Sequence, residues 1–263
     1  MRFHRAPYLD KLRVYMNPSA QNIQAALQAV AQLRQQHLAD APLANASAQI
    51  KRYQALRFQA TYADMLQSPR YRTAATFFLR ELYSDKDYAE RDQQFARIAN
   101  TIAKLFPQVV VNTAAALAEV HALTESLDDS MARQWLESLT SEPGMSQHAR
   151  YIHCWRRASD ALARHRQLDV VLELGGQLSR LTRKPGLRTL LRMMRQPAAA
   201  AGLSSLQGFI ETGFDAFAQM RGADEFLKLI QQRETEWIAS LFTDELAGCE
   251  ATLHHLMAFS TSR

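Results

Sequence analysis

The chain has 263 residues and a mass of 29.8 kDa, with 47% apolar and 22% charged residues, a composition that excludes a disordered chain or a fibrous repeat. Thirty-one Lys and Arg against 26 Asp and Glu leave a formal charge of +5, small enough to come from one local patch. The longest uncharged runs, Leu105 to Ala118 and Gln196 to Ile210, are shorter than the ~18 residues of a membrane span.

Taken in chain order, the first twenty residues carry Arg2, Arg5, Lys11 and Arg13, which interrupt every apolar stretch and leave no hydrophobic region for a secretory signal. A cytoplasmic protein is therefore expected. Ser19 is placed to cap a helix to about His37, with Ile23, Leu27, Val30 and Leu33 along one face. Residues 40–47 read as a loop. Ser47 then opens a helix to about Gln67 with an inward stripe of Ile50, Tyr53, Leu56, Ala60 and Ala63, closed by Ser68-Pro69. A short apolar helix follows from Tyr71 to Tyr83. Ser84 to Asp87 suits the start of a helix whose Phe95, Ile98, Ile102 and Leu105 face inward. Pro107 breaks it and begins the next, to about Leu127, with Ser126 to Ser130 as a turn and a shorter segment from Arg133 to Leu139.

The turn Ser141-Glu-Pro-Gly144 is the strongest interior break. Beyond it, Gln147 to about His165 and Val170 to Leu181 read as helices, and Pro185-Gly186 precedes an amphipathic one from Leu187 to Met194. Leu187, Leu190, Leu191 and Met194 share one of its faces, and Arg188, Arg192 and Arg195 a neighbouring one. Leu203 to Met220 carries Leu206, Ile210, Gly213 and Phe217 at helical spacing and stops at Gly222. Asp224 is expected to cap a last long helix striped by Phe226, Leu229, Ile230, Arg233, Trp237 and Leu241, with Gly248 opening a tail.

Apolar spacing is helical throughout, and no segment alternates with period two. The predicted fold is all-α, a globular bundle of about eight to ten helices with no sheet. The expected organisation is an N-terminal arm and helix over 1–46, a main helical domain over 47–247 with 141–146 as the place for a lobe boundary, and a tail over 248–263.

Residues 71–128 contain Phe77-Phe78-Leu79-Arg80-Glu81-Leu82-Tyr83, followed by Asp87-Tyr88 and Arg91-Asp92. This stretch resembles the uncharacterised bacterial family named for an FFLEELY motif, with Arg80 where the motif has Glu. The likeness continues through the segment that begins Leu190-Leu191-Arg192-Met193-Met194-Arg195. The resemblance implies an all-helical bacterial protein; it implies no agreed activity.

The densest charge feature lies between Glu173 and Glu211, a stretch with no acid that holds Arg180, Arg183, Lys184, Arg188, Arg192 and Arg195. Gathered on one side, these cations would bind an anionic partner; acids folding across from elsewhere, notably Asp85 to Asp92, would neutralise them. No helix-turn-helix or other nucleic-acid motif accompanies the run, which disfavours nucleic acid. Cys154 and Cys249 form no CxxC, and His148, His153, His254 and His255 match no ligand pattern, so neither a metal site nor a disulfide is expected. The common nucleotide, hydrolase and redox motifs are also missing.

No catalytic residue and no cofactor is therefore assigned. The leading expectation is a non-enzymatic interaction protein that binds a macromolecular, anionic partner, a protein before a nucleic acid. The alternative is a small-molecule, lipid or haem binder whose inter-helix apolar pocket is lined by Phe77, Phe78, Tyr83 and His121.

Overall fold

A computed structural model describes residues 20–81, 86–105 and 108–261, and among these every regular element is an α-helix. In chain order they are α1 (Ala20–Ala39), α2 (Ala41–Thr61), α3 (Ala63–Gln67), α4 (Arg72–Glu81), α5 (Ala89–Leu105), α6 (Gln108–Ser141) and α7 (Gln147–Ala158). They continue with α8 (Ala161–Thr182), α9 (Leu187–Met193), α10 (Arg195–Ala200), α11 (Ser204–Gln219), α12 (Asp224–Thr243) and α13 (Leu246–Thr261). The all-α expectation holds, with more helices than the eight to ten anticipated. The expected caps at Ser19 and Ser84-Asp85, the break at Pro107 and the pocket residue Tyr83 lie outside the described residues.

The extra elements have local causes. Residues 40–47 are not a loop: the Asp40 side chain accepts from the Leu43 amide at 3.0 Å, Pro42 occupies the first turn, and α2 begins six residues before Ser47. Tyr62, at φ −114°, separates α2 from α3. Residues 126–130 are not a turn either. Leu127, Met131, Ala132 and Trp135 continue the apolar stripe, while the buried Asp128 and Asp129 are met by Gln54 of α2 and His37 of α1. Conversely, the expected helix over 147–165 breaks at Ser159-Asp160, where Asp160 accepts from the Ala163 amide at 2.8 Å and starts α8; the chain is then helical through Gln167-Leu168-Asp169. Asp224 is the first helical residue of α12 and makes no side-chain cap. Residues beyond Gly248 extend α13, whose fully buried Cys249 and Leu253 pack toward α2 and α7.

Helix α6, 34 residues and about 50 Å long, is the spine, in contact with α1, α2, α5, α7 and α8. Its first half belongs to a cluster with Ile23, Leu27 and Val30 of α1, Phe95 and Ile102 of α5, and Leu206. Its second half belongs to the larger core, where Tyr53, Phe58, Phe78, Trp155, Phe217, Phe226 and Leu241 meet, drawing on both sides of the 141–144 turn. Some expected stripe positions lie outside: Leu56 is 45% exposed and Ile210 37%. On α12 the buried position is Glu234 rather than Arg233, whose guanidinium pairs with Asp64 at 2.7 Å.

Candidate functional site

The cationic run begins on α8 and ends on α10. Gly186 takes φ 78°, a left-handed conformation that a side chain would oppose, and so aims α9 away from α8. Pro197 offers no amide to the Met193 carbonyl and its ring crowds it, so the helix is interrupted at Met194. Arg188 and Arg192 therefore share α9, whereas Arg195 opens α10; the three do not form one helical face as their spacing suggested. None of the seven residues of α9 is buried. Leu190, Met193 and Met194 are 48%, 70% and 42% exposed, because no further element lies over them.

Three of the six cations meet acids, and the acids come from α11 and α12 rather than from Asp85 to Asp92. Arg188 lies 2.8 Å from Asp215, Arg195 donates to Glu211 at 2.7 Å, and Arg183 approaches Asp224 at 3.8 Å. The hydrogen bond from Arg195 holds the Glu211 carboxyl below its ordinary range. Arg180, Lys184 and Arg192 are exposed and have no carboxylate partner among the described residues. Asp92 is spent elsewhere, accepting from Arg34 and bonded to His121, each at 2.9 Å. Burial would raise its carboxyl, but the His121 bond and the charges of His121 and Arg91 outweigh burial and hold it low.

The four residues of the apolar-pocket alternative are not assembled around one described cavity. Phe77 packs on Phe78, Phe209 and Gly213; Phe78 packs on Phe58, Phe217 and Phe226. His121 sits on the other core, against Asp92. The histidines at the α7–α13 contact are engaged with each other: the Tyr53 hydroxyl is 2.7 Å from His148 Nδ1, and the His148 and His254 rings meet edge-on at 5.7 Å. No group of three or more metal-ligating side chains occurs among the described residues, and none of the helices there is long and apolar enough to cross a membrane. Both cysteines are buried free thiols; burial pushes Cys154 up to about 11, which keeps it protonated and a poor nucleophile at neutral pH.

A second polar centre lies inside the larger core, and sequence reasoning did not mark it. Arg57, 2% exposed, grips Glu234 with two bonds of 3.3 and 2.9 Å, and the Tyr62 hydroxyl donates to the same carboxylate at 2.8 Å. Arg164, 3% exposed, lies 3.8 Å over the Trp155 ring and bonds Ser159 Oγ, Gln167 Oε1 and the Met131 sulfur. The available signal was a charge inside an apolar stripe: Glu234 falls between Ile230 and Ile238 at four-residue spacing, and Arg57 follows Ile50 and Tyr53.

No curated protein and no solved structure matches the chain. A family model described as a domain of unknown function (DUF8198) matches residues 33–247, most of the chain and all of α2 to α12. The protein belongs to this family of all-helical domains of unknown function.

Proposed function

We propose that the protein is a non-enzymatic interaction protein whose α9–α10 face docks an acidic protein surface. The observation that carries this reading is the exposure of Leu190, Met193 and Met194 beside Arg180, Lys184 and Arg192. Exposed apolar groups mixed with unneutralised cations fit a partner that offers both apolar contact and carboxylates. Methionine's flexible side chain suits such a surface, since it repacks at little cost. The cleft between α9 and α11, lined by Arg188, Leu191, Arg192, Glu211, Phe214 and Asp215, gives the partner an edge to register against. A bacterial, cytoplasmic setting, implied by the FFLEELY-type stretch and the charged N-terminus, belongs to the same reading.

The test compares the immobilised wild-type protein with two variants, Leu190→Ser/Met193→Ser/Met194→Ser and Arg180→Gln/Lys184→Gln/Arg192→Gln. The same acidic partner should be retained by the wild type and lost by both variants. Equal retention of every bound protein by all three would reject this face as the interface.

A further inference from the structure

We propose that the cavity enclosed by α2, α7, α8 and α12 is a binding site for a small monovalent carboxylate, of the size of formate or acetate. The cavity measures about 50 Å³, with Gln54, Arg57, Trp155, Arg164, Gln167 and Glu234 among its walls. At roughly 10–15 Å³ per water-sized group it admits about four such groups, which excludes a nucleotide, a sugar or a haem.

The wall chemistry sets the sign of the ligand. Two guanidinium groups line the cavity against one carboxylate, Glu234, and that carboxylate is already held by Arg57 and Tyr62. Asp128, the buried acid nearby, is bonded to Gln54 and does not line the cavity. A guanidinium buried as deeply as Arg164 is costly unless its surroundings return the lost hydration, and its bonds to Ser159, Gln167 and Met131 run to neutral atoms. Trp155, 5% exposed, stands beneath it with a buried indole N–H that finds no acceptor among the described residues. Such an N–H calls for an acceptor. A carboxylate set between the Arg164 fork and the indole would supply one, since its two oxygens match a planar guanidinium and can accept from a further donor. Phe58, Phe78 and Ile230 face the same space and suit the carbon end of the ligand. A neutral occupant leaves the surplus positive charge of the walls unanswered.

The test is a titration of the ¹⁵N-labelled full chain with sodium formate, ionic strength being balanced with sodium gluconate, which is too large to enter. The readout is the Trp155 indole N–H resonance, assigned by its disappearance in Trp155→Phe. A saturable shift is expected, with Kd at least ten-fold weaker in Arg164→Gln. Val171→Phe, which narrows the cavity from α8 and leaves the charged groups in place, should abolish the shift; it decides the matter even if Arg164→Gln does not fold. A linear or absent response in the wild type, meaning that the cavity holds water only, overturns the proposal. So does a saturable response that Val171→Phe leaves unchanged.

Discussion

A Cβ placed on Gly213 would stand 2.9 Å from Cζ of Phe77, closer than packed carbon atoms approach. Helix α11 lies against α4 at the distance that this missing side chain permits. The Phe77 ring is itself wedged between Phe78 and Phe209 and cannot swing clear. We expect Gly213→Ala to destabilise the protein by about 1–3 kcal/mol through overpacking. Gly208 is on the same helix with nothing within 4 Å of its Cβ position, so Gly208→Ala should stabilise by about 0.5–1 kcal/mol. Urea unfolding of the two variants checks the contrast; a shared sign would show that helix propensity, and not the Phe77 contact, governs both sites.

Phe78, 5% exposed, stands among Phe58, Phe217 and Phe226. Phe78→Ala should cost about 3–5 kcal/mol, enough to bring a marginally stable domain close to unfolding. A thermal melt that hardly moves would place this ring outside the core.

Breaking one side of the Arg57–Glu234 pair should be worse than removing both. Glu234→Leu strands a buried guanidinium and takes the acceptor from Tyr62, at a cost of about 3–5 kcal/mol. Combining it with Arg57→Met leaves no buried charge unmatched and should recover most of that loss. Equal destabilisation by the single and double variants would mean that the pair matters for shape rather than charge.

Asp128 supplies a pH signature. Burial pushes its carboxyl up to about 6, so the folded protein holds this proton more tightly than the unfolded chain, where the value is about 4. Its favourable contribution is present below that lower value and is lost as pH rises through about 6. Asp128→Asn can still accept from Gln54 and has no proton to lose. The variant should match the wild type near pH 4 and exceed it above pH 6 by up to about 3 kcal/mol. A stability difference that is constant with pH would exclude this assignment.

Sequence periodicity located the stripes of α1, α5 and α11 because their buried positions, such as Ile23, Leu27, Val30, Phe95 and Ile102, repeat at three and four residues and are apolar. It failed where a polar residue finds its partner far along the chain. Asp128 and Asp129 read as turn formers, yet Gln54 and His37 meet them across separations of 74 and 92 residues. Arg57 and Glu234, 177 apart, hide in apolar stripes for the same reason. The cationic run was legible as composition; its division between paired and exposed members depends on where α11 and α12 pass, which no local pattern encodes.

For the outer face, replacing Arg188, Arg192 and Arg195 with Gln should leave the urea midpoint almost unchanged, since Arg188 and Arg195 make exposed ion pairs and Arg192 projects from an unburied helix. Partner binding should weaken sharply, and wild-type binding should fade as salt rises and the Debye length shrinks to about 8 Å. Unfolding of the triple variant would show that these arginines hold the fold together; unchanged binding and salt dependence would remove them from the interface.

Because α9 contributes nothing to either core, folding asks of its seven residues only that they be compatible with a helix. Two turns of helix could be exchanged there while the rest of the chain folds as before. The scaffold and its address are thus separable: a domain built this way can change what it recognises in small steps, none of which passes through an unstable intermediate.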